Sequence, residues 1–145
     1  MAFNFPLASV LRVRGILEER EERLLQKILF EISQTLESLA KTDAEIAGSD
    51  FSRQANVLKP FFGHNLHLSY GTVKELKQTR KDIEGHIEKL EELRDKQVKI
   101  YESARRSREM LTDMHDEQHS VFNSDAARRE QKTLDDNYIA RRGRL

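Results

Sequence analysis

The chain has 145 residues, of which 37% are hydrophobic and 34% are charged, and its 25 basic and 25 acidic residues cancel to a formal net charge of zero. So small an apolar share excludes a thick globular core, and the balanced charge gives no overall field that attracts nucleic acid or anionic lipid. The absence of cysteine excludes disulfides and thiolate zinc sites. No run is apolar enough to span a membrane and the first residues lack a signal-peptide pattern, so we expect a soluble protein that is not exported.

Two long helices are predicted to occupy almost the whole chain. Its only prolines are Pro6 and Pro60, and few glycines interrupt the charged stretches between and after them. The pattern predicts a first helix over about residues 7–58 with a break near Gly48, a turn over about 59–71, and a second helix over about 72–142. Helices joined by such a turn pack antiparallel. The predicted fold is therefore all-α, a single coiled-coil domain over residues 1–145 that forms a long two-helix hairpin.

The seam between the helices is predicted from apolar residues at alternating spacings of three and four. The first helix contributes Leu25, Leu29, Ile32, Leu36, Leu39 and Ile46, with Asp43 at the polar position. The second helix contributes Val73, Leu76, Ile83, Ile87 and Leu90 and then, after a three-residue skip, Leu93, Ile100, Ala104, Leu111, Met114 and Val121. Its polar seam positions are Arg80, Gln97, Ser107 and Gln118. Facing residues then have numbers that add to about 126, which pairs Leu36 with Leu90 and Leu11 with Met114.

The C-terminal end of the second helix is predicted to project beyond the hairpin. In this alignment the last residues of the N-terminal part to face the second helix lie near Phe5. About residues 122–145 are then left without an internal partner. At roughly 1.5 Å per residue, this overhang extends on the order of 35 Å. A projecting helix needs an external partner to stay ordered, so we expect a binding role for this segment.

Candidate catalytic and metal sites are few. His115 and His119, four residues apart, invite comparison with the HExxH zinc helix, but Asp116 stands where that motif has its glutamate. A two-helix rod also offers no cleft for a third ligand and a substrate, so exposed polar histidines are the favoured interpretation. No phosphate-binding glycine loop and no plausible nucleophilic triad is present. The protein is predicted to be no enzyme and to need no metal or other cofactor.

Charged and apolar groups indicate binding surfaces instead. The basic residues Arg105, Arg106 and Arg108, with those of the C-terminal segment, favour an acidic protein partner over nucleic acid, because only Tyr138 stands among the tail's basic residues as a stacking aromatic. Plain solvation of salt-bridged helix faces is the alternative interpretation of these charges. Two apolar groups exceed what a thin seam covers. The first comprises Phe3, Phe5, Leu7, Val10 and Leu11, and the second comprises Val57, Leu58, Phe61, Phe62, Leu66, Leu68 and Tyr70. For the second group, a local cap packed on the tip of the hairpin is an equally good interpretation.

The two ends of the chain together resemble the flagellar FliJ family, whose relatives include the YscO-type proteins of injectisomes. The opening carries Phe3, Phe5, Leu7, Val10, Leu11 and Arg14, followed by Glu18 and Glu19. The ending carries Arg129, Glu130, Gln131, Lys132, Leu134, Asp135 and Asp136, followed by Arg141 and Arg142. The resemblance extends over nearly the full length and includes the hairpin layout, whereas the Phe61–Tyr70 loop matches no family pattern.

This resemblance implies a cytoplasmic stalk similar to the gamma subunit of rotary ATPases, peripheral to the inner membrane. Such a stalk sits in the hexameric export ATPase, FliI, and meets the export gate protein, FlhA, and escort chaperones. By the same resemblance, the ATPase-binding residues are Phe5, Leu7, Val10, Leu11, Arg14, Glu130, Gln131, Lys132, Asp135, Asp136 and Arg141. The gate-binding residues are Val73, Leu76 and Ile83. Three alternatives stay open: a chaperone-like module for export substrates, an injectisome stalk, and a hairpin that docks RNA.

Overall fold

Two long helices form the protein. A computed structural model describes residues 2–56 and 63–144, and the side chains of Arg53, Ala55, Asn56 and residues 63–69 lie outside that description. Helix α1 spans Ala8–Asn56, 49 residues, and helix α2 spans Gly63–Arg142, 80 residues. No strand occurs in the described ranges, so the predicted all-α class is confirmed. Neither helix has, among these residues, a stretch long and apolar enough to cross a membrane.

The helix boundaries differ from the prediction at two places. Helix α1 continues through Gly48, where a break was expected, because one helical glycine costs only about 1 kcal/mol relative to alanine. Helix α2 begins at Gly63, within the predicted turn, and ends at Arg142 as expected. Residues 57–62, which include Pro60 and part of the predicted turn and loop cluster, lie outside the described residues.

The contacts of the chain group into two units. The first unit combines Met1–Arg20 with Tyr101–Leu145, and the second comprises Glu21–Ile100. Each unit thus pairs a segment of α1 with a segment of α2. In the second unit Glu21 meets Gln97 and Asp43 meets Arg80, so the two segments run antiparallel. In the first unit, Phe3 meets Phe122 and Glu18 meets Arg108, which gives the same direction. These antiparallel contacts are those of a helical hairpin.

In the second unit, one of the two predicted rows of α1 lies in the seam and the other does not. Ile32 is buried, and Leu25, Leu39 and Ile46 are half-buried, as predicted. Leu29 and Leu36 are exposed, so their predicted place in the seam is wrong. The inward positions one residue earlier are Ile28, Thr35 and Thr42.

Threonine is tolerated at these inward positions because its hydroxyl is already satisfied within the helix. Thr35 Oγ1 donates to the Glu31 carbonyl oxygen at 2.7 Å, and Thr42 Oγ1 donates to that of Ser38 at 3.0 Å. Neither hydroxyl therefore needs a partner across the seam, and only the methyl group faces it. Thr35 therefore lies inward although the more apolar Leu36 beside it is exposed.

Helix α2 keeps one heptad register in both units, and the predicted three-residue skip is absent from it. In the second unit Val73, Ile87 and Leu90 are buried and Arg94 is half-buried, whereas Leu93 and Ile100 are exposed. In the first unit the half-buried positions continue in the same seven-residue spacing, and Met114 and Val121 are exposed. These half-buried positions are Tyr101, Ala104, Arg108, Leu111 and His115. Polar residues such as Arg94 and His115 therefore occupy seam positions, whereas the apolar pattern predicted their neighbours Leu93 and Met114 there.

Candidate functional site

Polar side chains in the seam are paired across the helices. Gln97 is only 9% exposed, and its amide nitrogen donates to the Glu21 carboxylate at 2.6 Å and to the Glu21 carbonyl oxygen at 3.1 Å. Arg80 Nε lies 3.0 Å from Asp43 Oδ1. Because an unsatisfied buried polar group is costly, such pairs select one alignment of the two helices over shifted ones.

A further polar pair joins the two segments of the first unit. The Arg108 guanidinium donates through Nε and Nη2 to the two carboxylate oxygens of Glu18. This hydrogen bond, with the carboxylate charge, raises the pKa of Arg108 above its ordinary value. Arg105 is held along its own helix by Glu109 at 2.8 Å, which raises its pKa in the same way. Two members of the predicted basic cluster are therefore engaged in ion pairs.

An aromatic cluster holds the N-terminal segment on α2 in the first unit. Phe5 is 5% exposed, and its ring meets His115 edge-on, with 5.2 Å between ring centroids. Phe3 lies edge-on to His119 at 4.9 Å and tilted against Phe122 at 5.5 Å. These edge contacts are the preferred geometry for aromatic pairs, so the segment before α1 is fixed to the second helix.

The two histidines belong to this cluster. The prediction of exposed polar histidines is correct for His119, whereas His115 is half-buried against Phe3 and Phe5. His115 Nδ1 lies 3.1 Å from an Asp116 carboxylate oxygen, and the two imidazoles are parallel with centroids 6.0 Å apart. No group of three metal-ligating side chains occurs among the described residues.

The N-terminal residues predicted to bind an ATPase form two groups. Phe5 is buried, and Leu7 and Leu11 are half-buried against α2 within the first unit. Val10 and Arg14 are exposed. Only the last two are thus open to a partner while the first unit keeps this arrangement.

The C-terminal residues predicted for the same partner are all exposed. Every described residue from 127 to 144 is exposed, although α2 continues to Arg142. This stretch also exposes the apolar side chains Leu134, Tyr138 and Ile139. The predicted residues in it are Glu130, Gln131, Lys132, Asp135, Asp136 and Arg141. Charged and apolar groups are therefore available together on this part of the helix.

The residues predicted to bind an export gate lie in the seam of the second unit. Val73 is 4% exposed, and Leu76 and Ile83 are half-buried. A partner at this place meets first the exposed residues beside them, including Tyr70 and Lys74. The gate-binding role of the three stays a prediction.

Some exposed apolar residues of the first unit were not among the predicted binding residues. On α1 of the first unit Val13, Ile16 and Leu17 are exposed beside Val10, and on α2 Met110 is exposed near Met114. Their helical spacing is visible in the sequence.

Comparison with known proteins gives no match: no family model, no curated protein and no solved structure matches this chain.

Proposed function

We propose that the protein is a non-enzymatic stalk of the flagellar protein export apparatus, which binds the hexameric export ATPase and links it to the export gate. The observation that carries this proposal is the fully exposed stretch 127–144, which is helical to Arg142 and coincides with the C-terminal signature of the FliJ-like resemblance. Antiparallel helix contacts in both units support the two-helix part of the proposal.

In this proposal residues 127–144 form the projecting C-terminal helix. Leu134, Tyr138 and Ile139 supply apolar contact area, and Asp135, Asp136 and Arg141 supply charges of both signs. Apolar anchors with charged neighbours are typical of a protein interface. The N-terminal contribution comes from Val10 and Arg14, with Phe5 keeping the preceding segment in place.

The coupling mechanism rests on asymmetry. A stalk without six-fold symmetry cannot contact six identical ATPase subunits equally, so it stabilises different subunits in different states. By thermodynamic linkage, nucleotide turnover in the ring then changes the affinity of the stalk for its partner at the gate. The proposed location is the cytoplasm, at the inner face of the membrane that carries the gate.

The test measures stimulation of the export ATPase from the same organism. Deletion of residues 128–145 is expected to abolish binding and stimulation while most helicity remains. A sharper variant exchanges charges at constant net charge, with Lys132→Glu, Arg141→Glu, Asp135→Arg and Asp136→Arg. Its matched control makes the same exchange at exposed positions of the second unit, with Lys89→Glu, Lys96→Glu, Glu91→Arg and Glu92→Arg. Full stimulation by the deletion variant would show that the C-terminal stretch is not the ring-binding element.

A second candidate is a chaperone-like module that holds export substrates. The observation in its favour is the number of exposed apolar side chains in the first unit, with Val10, Val13 and Leu17 on α1 and Met110, Met114 and Val121 on α2. Flexible methionines suit a surface that accepts several helices. Tight binding of substrates without any effect on the ATPase would favour this candidate over the stalk.

A further inference from the structure

One face of α2 in the second unit carries a row of a tyrosine and three lysines. Tyr70, Lys74, Lys77 and Lys81 follow one another at spacings of four, three and four residues, so their side chains lie one above another. All four are exposed. Together with Val73 and Gln78 they line an open groove along the helix. We call these four residues the lysine row.

Three carboxylates near the lysine row, those of Asp43, Glu84 and Asp82, have other partners. Asp43 and Glu84 both meet Arg80, at 3.0 and 3.4 Å. Asp82 accepts a hydrogen bond from Gln78 Nε2 at 3.2 Å. Lys74, Lys77 and Lys81 form no ion pair with another residue of the described ranges. The groove therefore presents three lysines that have no ion-pair partner among the described residues.

The shape and chemistry of the groove fit an acidic helix. Lys74 and Lys81 are separated by about 10 Å along the helix axis, which equals two turns. A partner helix that lies alongside repeats its own side chains at the same spacing, so glutamates three and four residues apart meet successive lysines. We infer that the lysine row is a docking surface for an acidic helix of a protein partner.

This inference is independent of the proposed ATPase contact, and it adds to the proposed gate contact because the lysine row lies beside Val73, Leu76 and Ile83. The lysine row belongs to the second unit, whereas the proposed ATPase-binding residues belong to the first. Loss of one interaction therefore leaves the other measurable. A nucleic acid or an anionic membrane also carries negative charge, but neither repeats its charge at the spacing of a helix face.

The experiment uses the full chain and synthetic peptides. The matched peptide is an alanine-based helix with glutamates at spacings of four, three and four on one face. The scattered peptide has the same composition with the glutamates distributed around the helix. In fluorescence anisotropy at low ionic strength, the matched peptide is expected to bind more tightly than the scattered one. Its affinity is expected to fall as salt is raised, because exposed charges are screened.

Two charge-reversal variants distinguish the contribution of the lysine row to binding from that of the net charge. Lys74→Glu, Lys77→Glu and Lys81→Glu together are expected to weaken binding by at least about tenfold. Lys89→Glu, Lys96→Glu and Lys99→Glu together, on exposed positions of the same unit, are expected to weaken it less than about threefold. A further variant replaces the three lysines with glutamine, which removes the positive charges without adding negative ones. Circular dichroism checks that this variant keeps its helicity.

Three results would overturn the inference. The first is no preference of the unaltered chain for the matched peptide. The second is equal weakening by the two charge-reversal variants, which would assign binding to overall charge. The third concerns the variant with the lysine row reversed. If it loses binding to single-stranded RNA or to phosphatidylserine vesicles but keeps binding to the matched peptide, the groove is assigned to nucleic acid or to membrane.

Discussion

The side-chain amide of Gln97 donates hydrogen bonds to both the carboxylate and the backbone carbonyl of Glu21, on the opposite helix of the second unit. An apolar side chain at this position would pack in several alignments. A buried amide is satisfied in only one of them, so Gln97 specifies how the two helices are aligned.

Replacement of Gln97 by alanine removes this specification. We expect Gln97→Ala to lower the free energy of unfolding by about 1–3 kcal/mol, because it deletes two hydrogen bonds in a closed part of the seam. Gln78→Ala is the matched control, since Gln78 is exposed and bonds only to Asp82. Its effect is expected to stay below about 0.5 kcal/mol in urea unfolding followed by circular dichroism. Equal effects of both changes would contradict a special role for Gln97.

The position of the seam on α1 is tested by two aspartates. Ile32 is 8% exposed and Leu36 is 48% exposed. We expect Ile32→Asp to destabilise the protein by on the order of 4 kcal/mol, because it buries an unpaired carboxylate. Leu36→Asp is expected to melt within a few degrees of the unaltered protein. The reverse order of melting temperatures would place the seam on the Leu29 and Leu36 row.

The ion pair between Arg108 and Glu18 is tested by a double-mutant cycle. Alanine is introduced at either residue and at both, and the coupling free energy is taken from the unfolding curves of these three variants and of the unaltered protein. We expect this coupling to exceed that of Arg105 with Glu109, which lies on a single exposed helix face. Comparable coupling in the two cycles would show that Arg108 contributes no more than a surface pair.

The anchoring of the N-terminal segment is tested at Phe5. A Phe→Ala change in a closed core costs about 3–5 kcal/mol. We expect Phe5→Ala to cost less, because residues 2–7 can detach while the helices stay paired. The ring protons of His115 should shift in the NMR spectrum as the Phe5 ring leaves. Phe30→Ala, at an exposed position, is the control and should leave these signals in place.

The continuity of α1 is tested at Gly48. A Cβ atom at this residue meets nothing within 4 Å, and its backbone has no positive φ angle. We expect Gly48→Ala to raise the free energy of unfolding by about 0.5–1 kcal/mol, because alanine favours the helix. Gly143→Ala, beyond the end of α2, is expected to change little. Destabilisation by Gly48→Ala would indicate the break that the sequence predicted.

The surfaces proposed for binding were only partly predictable. The exposed C-terminal stretch followed from the alignment of the two helices, which leaves no residue of the first helix opposite it, and its charges are visible in the sequence. The burial of Val73 was predicted by the seam pattern, whereas that of Phe5 was not decided, because one apolar side chain serves equally as a core residue or as a contact for a partner. The lysine row was missed because Tyr70 was assigned to the turn, whereas α2 already begins at Gly63.

The sequence alone determined the helical class of the protein, its two-helix plan, one seam row on α1 and the seam of α2 as far as Leu90. Scarce glycine and proline and a seven-residue apolar repeat are local properties, so they are readable without a partner. Only the tertiary structure decided which residues lie inward at the remaining seam positions. Thr35 lies inward beside Leu36, and His115 lies inward beside Met114. Hydrophobicity favours the leucine and the methionine, but a hydroxyl bonded within its own helix and an imidazole packed against Phe3 and Phe5 make the polar choices possible. Such pairing depends on which residues meet across the helices, and only the folded chain defines that.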